Sequence, residues 1–172
     1  MKIKTLEGTS TKEIVKAFNE SFADYFIPLQ LSEQQLISKM AADKTELSLS
    51  VGVFDNEKLV GFILHGFDVV DNLKVIYNAG TGVIPDKRGS GLTKRMYQYI
   101  LPHLQEREVD MLQLEAITQN IQAIRSYEKS GFKIDRKVLC YKGEVKVSST
   151  NLNLDVRRFQ DYNWDLLQSF WD

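Results

Sequence analysis

The stretch between residues 73 and 106 constrains the fold most, because it changes from a strand pattern to a helix pattern across a short basic turn. Residues 73–84 are predicted to form a strand, and Gly80 and Gly82 within it indicate a bulge or a close backbone approach. Apolar residues then recur at helical spacing from about Gly91, with Pro102 expected to kink or end the helix: Leu92, Met96, Tyr99, Ile100 and Leu104. A strand that leads into a helix in this way is typical of an α/β domain.

The turn itself, with the sequence DKRGSG at residues 86–91, is suited to an anion. A helix that begins here presents unpaired N–H groups and the positive end of its dipole, and the glycines let a ligand approach the backbone. No acidic residue lies between Lys87 and Gln105. The phosphate motifs of P-loop and dinucleotide-binding proteins are absent. The turn therefore predicts a phosphate site of another kind, with a solvated basic turn as the alternative.

The chain before this junction predicts two helices and three strands. Capping boxes that begin at Ser10 and at Ser32 each start a helix, and the first helix, whose apolar stripe includes Phe22 and Phe26, ends before Pro28. Period-two patterning predicts the strands at residues 3–6, 47–53 and 59–65.

The chain after the junction continues the α/β pattern. A strand is predicted over residues 111–117, followed by a helix that Asn120 caps and that runs to Lys129, with Gly131 closing it. Residues 133–147 then predict two short strands around Gly143.

Composition places the chain among ordinary globular proteins and excludes several classes. Its 172 residues are enough for one self-sufficient core. A net charge of -1 gives no general attraction to nucleic acid or to an anionic membrane, so neither partner is expected. Cys140 is the single cysteine, which excludes a disulfide within the chain. No apolar run is long enough for a signal peptide or a membrane span, so a cytoplasmic location is expected.

Two motifs resemble those of the GNAT superfamily of N-acyltransferases. Arg88-x-x-Gly91-x-Thr93 resembles its acetyl-CoA-binding motif, [QR]-x-x-G-x-[GA], although Thr93 departs from the last position. Downstream, the segment from Asn120 through Tyr127 to the pair Gly131-Phe132 resembles a later motif of the family. The resemblance implies a GNAT domain over residues 1–147, which is an α/β fold with a mixed, mostly antiparallel twisted sheet flanked by helices.

The resemblance also implies a co-substrate, acetyl-CoA, and no metal. In the family, backbone N–H groups of the glycine turn cradle the pyrophosphate of coenzyme A, and the preceding strand pairs with the pantetheine arm. The N–H of Val83 would then polarise the thioester carbonyl. Cofactor-binding residues are therefore expected in and beside the two motifs: Val83, Arg88, Gly89, Ser90, Gly91, Leu92, Thr93 and Asn120.

The same resemblance places the general acid at Tyr127, which would protonate the departing thiolate while an amine attacks the thioester directly. The general base is less clear, because Tyr77, Asn78 and Thr81 stand on the strand where many family members have a carboxylate. Glu115 on the next strand is the candidate by topology, acting through water. His65 and His103 are weaker alternatives, since neither lies on a family motif.

The acceptor is expected to be a small-molecule or peptide primary amine. In the family the loop after the first helix commonly walls the acceptor pocket, which assigns Tyr25 and Phe26 to the wall, and Asn78 and Thr81 line the same pocket from the strand. Ordinary core packing is the alternative for the two aromatic residues.

Two other functional interpretations stay open. The missing carboxylate on the strand of Tyr77 is also compatible with a non-catalytic acyl-CoA-binding or regulatory domain. Residues 148–172 resemble a linker followed by a strand and a helix, which is how a second GNAT unit would begin. A tandem protein, or a homodimer in which this tail packs on a partner, is therefore a further hypothesis.

Overall fold

The computed structural model describes residues 1–26 and 29–140. The chain divides into two compact units, Met1–Lys133 and Ile134–Asp172. Residues 134–140 of the second unit contain no helix or strand, so this part of the hairpin predicted around Gly143 is wrong. Its apolar side chains Ile134, Val138 and Leu139 are exposed. The rest of that hairpin, the linker and the C-terminal strand and helix lie outside the described residues.

The first unit is built around a five-stranded sheet whose order follows the chain. The first three pairings are antiparallel and the last is parallel, so the predicted mixed, mostly antiparallel sheet is confirmed. The strands are β1 Lys2–Thr5, β2 Val51–Asp55, β3 Lys58–Val70, β4 Leu73–Val83 and β5 Met111–Gln113.

Four helices flank the sheet: α1 Thr11–Phe22, α2 Glu33–Ala42, α3 Leu92–Glu106 and α4 Ile121–Glu128. Ser32 completes a reciprocal capping box with Gln35, whereas Ser10 accepts the N–H of Glu13. A short 3₁₀ turn, Pro85–Lys87, leads from β4 toward α3. No helix among the described residues is long and apolar enough to cross a membrane.

Each face of the sheet has its own apolar core. On one face α3 packs Met96, Tyr97 and Ile100 against β2, β3 and β4, and Tyr127 and Phe132 join this cluster from the α4 side. On the other face α1 and α2 pack against β2 and β3.

Several predicted boundaries are wrong for local reasons. Residues 47–49 form a turn because the Ser50 hydroxyl donates to the carbonyl of Glu46 and accepts the N–H of His65, so β2 begins only at Val51. β3 runs to Val70, five residues beyond the predicted end. Pro102 does not end α3, since it lies on the exposed side, where water can solvate the carbonyl that it leaves unpaired.

Candidate active site

A β-bulge in β4 brings two polar side chains onto one face of the sheet. The pairing register with β3 skips Ala79, which is an extra residue in β4. Ala79 packs on the α1 side, and Gly80 faces the same side. Asn78 and Thr81 therefore share the opposite face, where Asn78 Nδ2 donates to Thr81 Oγ1 at 2.8 Å. The predicted irregularity of this strand is confirmed, and it re-aims the residues that the site needs.

Two tyrosines from different helices complete this group, which we call the Asn78 cluster: Asn78, Thr81, Tyr97 and Tyr127. Asn78 Nδ2 also donates to the Tyr97 hydroxyl at 2.7 Å. The rings of Tyr97 on α3 and Tyr127 on α4 meet edge to face with centroids 6.4 Å apart. The cluster thus joins β4 to α3 through hydrogen bonds and α3 to α4 through an aromatic contact, in a largely buried environment.

Tyr97 is a site residue that sequence reasoning missed. Its side chain is only 1% exposed. The helical stripe gave the signal, because Tyr97 follows Met96 and precedes Ile100 by one turn, so it lies on the buried face of α3. Tyr99 was assigned to that face instead, but it is only half-buried and stacks on His103.

Burial raises the pKa of both phenols in the cluster. For Tyr127 the nearby polar group of Thr81 partly offsets the rise, and the hydroxyl of Tyr25 adds to it. Both hydroxyls therefore keep their protons at neutral pH. A protonated phenol in this position can donate a hydrogen bond or a proton, as the predicted general acid requires.

The edge of β4 is open beside this cluster. β5 pairs with β4 only at Val75, Ile76 and Tyr77, and no other described strand continues along that edge. The N–H of Ile84 donates to the carbonyl of Val60 on β3. Because donors alternate along an antiparallel strand, the N–H of Val83 points away from β3, toward the open edge.

The glycine turn follows directly and leaves helix N–H groups uncovered. Gly89 and Gly91 have positive φ angles of 75° and 73°, and Gly91 caps α3 without a side-chain hydrogen bond. The first helical bond is from the N–H of Arg95 to the carbonyl of Gly91, so the N–H groups before it are unpaired within the helix. The predicted anion geometry is present at residues 89–93.

The four basic residues of the turn divide into two pairs. Lys87 Nζ binds Asp55 at 2.6 Å, and the Arg88 guanidinium binds Asp24 through both terminal nitrogens at 2.7 Å. Lys94 and Arg95 are exposed and form no ion pair within residues 1–26 and 29–140. The charge of Arg88 is therefore directed to the end of α1, and its backbone N–H donates to the carbonyl of Pro85.

Glu115 does not lie on β5 as predicted, because that strand ends at Gln113 where its pairing with β4 stops. The side chain is exposed. Burial raises the pKa of Tyr77, and the negative charges of Glu115 and Asp43 add to the rise.

Of the two histidines, only His65 lies near this cluster, with its ring centroid 6.1 Å from that of Tyr97. His65 is fully buried, with its Nδ1 2.8 Å from the carbonyl oxygen of Leu49, and burial lowers its pKa to about 4. It is therefore neutral at physiological pH. His103 lies on the exposed side of α3.

The predicted acceptor wall, Tyr25 and Phe26, lies beyond the end of α1 and is not part of its apolar stripe. The Asn120 amide, which also caps α4 by accepting the N–H of Ala123, donates to the Tyr25 hydroxyl at 3.4 Å. Phe26 packs edge to face on Tyr25 and is 59% exposed. The wall and the later motif are thus brought together. Within the described residues, no cluster of histidine, cysteine or acidic side chains is arranged to hold a metal.

Solved structures share this fold at low sequence identity. An aminoglycoside 6'-N-acetyltransferase from Acinetobacter haemolyticus is 15% identical with a TM-score of 0.61, over 85% of this chain and 100% of that one. An aminoglycoside acetyltransferase from an uncultured soil metagenomic sample, in complex with sisomicin, is 12% identical with a TM-score of 0.65, over 84% and 96%. Glucosamine-6-phosphate N-acetyltransferase from Arabidopsis thaliana is 14% identical with a TM-score of 0.58, over 83% and 97%.

Comparison with curated protein sequences finds no significant match. The sequence profile of the acetyltransferase (GNAT) family, however, matches residues 12–132, which is more than half of the chain and contains the bulge, the glycine turn and both tyrosines. The chain therefore belongs to the GNAT family of acetyltransferases.

Proposed function

We propose that this protein is an N-acetyltransferase that moves an acetyl group from acetyl-CoA to a primary amine by direct attack. The proposal rests on the open edge of β4. This strand ends at Val83, between the glycine turn and the Asn78 cluster. One extended ligand on this edge would reach an anion site at one end and phenolic proton donors at the other.

Each part of coenzyme A would bind a different part of this edge. The unpaired N–H groups of residues 89–93 would bind its pyrophosphate, with Lys94 and Arg95 adding exposed positive charge. Gly89, Ser90, Leu92 and Thr93 would contribute through their backbone N–H groups, whereas the N–H of Arg88 donates to the carbonyl of Pro85. The pantetheine amides would pair with the outward N–H and C=O groups of β4, and the N–H of Val83 would donate to the thioester carbonyl.

The chemistry needs a base for the amine and an acid for the departing thiolate. An alkylammonium loses one proton to become a nucleophile, its nitrogen attacks the thioester carbon, and the C–S bond then breaks as the thiolate takes the proton of Tyr127. The attacking nitrogen releases its second proton, and solvent restores the phenol. Glu115, which is exposed two residues beyond the end of β5, would remove the amine proton through water.

The acceptor that we propose is a small-molecule amine, with a peptide amine as the alternative. Tyr25 and Phe26 would form one wall of its pocket, and Asn78 and Thr81 would line the strand side. The fold neighbours support this choice, because one is an aminoglycoside acetyltransferase in complex with sisomicin and another is a glucosamine-6-phosphate N-acetyltransferase. The exposed carboxylate of Glu115 would attract a cationic acceptor.

A non-catalytic acyl-CoA-binding domain is the second candidate. It is favoured by one observation, which is that the Asn78 cluster contains no carboxylate to act as a base. Thiol release with acetyl-CoA distinguishes the two, using sisomicin, glucosamine 6-phosphate, spermidine and a lysine peptide as acceptors. We expect release with at least one amine and its loss in Tyr127→Phe. Binding of coenzyme A by calorimetry without release from any amine would instead support the binding domain.

A further inference from the structure

The guanidinium of Arg88 is held by partners in two segments of the chain, the end of α1 and the end of β4. Its two terminal nitrogens donate to the two oxygens of Asp24, each at 2.7 Å. One of these nitrogens also donates to the carbonyl of Ser21 at 2.9 Å, and Nε donates to the carbonyl of Val83 at 3.1 Å. Only the planar fork of an arginine can satisfy these partners together.

These contacts connect the two halves of the proposed site. Asp24 comes directly before Tyr25 of the acceptor wall, whereas Arg88 opens the glycine turn. Ser21 lies in the last turn of α1, which has no basic residue of its own there. Arg88 therefore supplies from a distant part of the chain the cation that a helix C-terminus favours.

The pair is too exposed to act mainly as a source of stability. The side chains of Arg88 and Asp24 are 41% and 56% exposed, and ion pairs this accessible contribute little to folding. Lys58 and Glu20 form a comparable pair between α1 and the sheet, at 47% and 36% exposure. What distinguishes Arg88 and Asp24 is the pair of functional segments that they join.

We infer that Asp24 and Arg88 are positioning residues that couple the binding of the two substrates, an inference that rests on the proposed function. Coenzyme A on the turn fixes the backbone on both sides of Arg88, and the bidentate pair passes this restriction to Asp24 and to the acceptor wall of Tyr25 and Phe26. The thioester substrate and the amine then bind with positive cooperativity.

Hydrogen exchange measured by mass spectrometry, with and without saturating coenzyme A, tests the coupling without an identified acceptor. In the wild-type protein we expect coenzyme A to slow exchange at residues 84–95 and also at residues 22–26. In Asp24→Asn the turn should still be protected, while the effect at residues 22–26 falls by about fivefold or more. Asp24→Glu should restore part of it, and Glu20→Gln, which breaks the comparison pair, should behave as wild type.

The outcomes separate the coupling from the proposed function. Protection of the turn without protection of residues 22–26 in the wild type would overturn the coupling and leave cofactor binding intact. An Asp24→Asn variant that keeps the protection of residues 22–26 would overturn it as well. No protection of the turn would overturn both proposals. Thermal unfolding midpoints of all four proteins should agree, since a purely structural role would lower that of Asp24→Asn.

Discussion

The two ends of the proposed site are built in different ways. At the cofactor end, residues 83–93 are continuous in sequence and present backbone N–H groups held by two left-handed glycines. At the chemical end, the Asn78 cluster takes side chains from β4, α3 and α4. A site made of backbone depends on local conformation, whereas a site made of side chains depends on register and packing. Substitutions should therefore affect the chemical end more strongly.

The largest effect is expected at the proton donor. Tyr127→Phe should lower kcat by roughly 10² to 10³-fold, because the thiolate would leave without a positioned acid. The KM for acetyl-CoA should hardly change, since the ring still packs on Phe132. Thiol release measures both constants. Tyr99→Phe, on the adjoining helix, is the matched control and should keep wild-type values. A Tyr127→Phe enzyme with the full wild-type kcat would show that Tyr127 is not the general acid.

The second effect is a dependence of the free energy of unfolding on pH. It comes from His65 on β3, which pairs with Asn78 of the chemical end on β4. Burial lowers the His65 pKa from 6.5 to about 4, so between these values the unfolded chain binds a proton that the folded chain does not. The free energy of unfolding should therefore fall by about 3 kcal/mol as the pH falls through this interval.

Urea unfolding at a series of pH values measures this dependence. His65→Gln, which can still donate to the carbonyl of Leu49, should flatten it, whereas the exposed His103→Gln should leave it unchanged. A His65→Gln protein with the wild-type pH dependence would show that another group is responsible.

A smaller effect is expected from the residue that anchors the cluster. Tyr97→Phe removes the hydroxyl that accepts from Asn78, which leaves a buried amide hydrogen less well satisfied. The free energy of unfolding should fall by about 1–3 kcal/mol. The kcat should fall about tenfold as Asn78 and Thr81 lose their fixed geometry. Chemical denaturation and thiol release test the two parts, and unchanged values for both would show that Tyr97 is only a packing residue.

The smallest effect is expected at the cofactor end. Gly91→Ala meets no neighbouring atom within 4 Å, so its consequence is the strain of a left-handed φ, about 1 kcal/mol. The affinity for coenzyme A should fall about fivefold as the first turn of α3 shifts. Gly8→Ala, with nearly the same φ and equally open surroundings, is the matched control. It should lose the same stability and keep its affinity, as calorimetry would measure.

The same contrast explains what the sequence could predict. The glycine turn, the start of α3 near Gly91 and the cap at Asn120 follow from local residue chemistry, and the structure confirms these elements. The partners of Arg88 did not follow, because Asp24 lies far away in sequence and its neighbourhood depends on the packing of α1. Helical spacing from Met96 and Ile100 also favours Tyr97 on the buried face of α3, so the prediction that Tyr99 lies there is wrong.

The bulge is the clearest case of partial prediction. Two glycines in β4 indicated an irregular strand, but not that Ala79 would be the extra residue or that Asn78 and Thr81 would share a face. The predicted β5 was also too long, because its pairing with β4 stops at Tyr77, shortly before the bulge at Ala79. Properties that depend on strand pairing cannot be derived from a single segment.

A crystal structure of the protein with a non-hydrolysable acetyl-CoA analogue tests the central claim most directly, which is that one ligand lies along the open edge of β4. We expect the pyrophosphate on the N–H groups of residues 89–93, and the N–H of Val83 within about 3 Å of the carbonyl oxygen that takes the place of the thioester oxygen. The acyl sulfur should face Tyr127. An analogue bound away from the β4 edge, or one whose acyl group points away from the Asn78 cluster, would contradict the account.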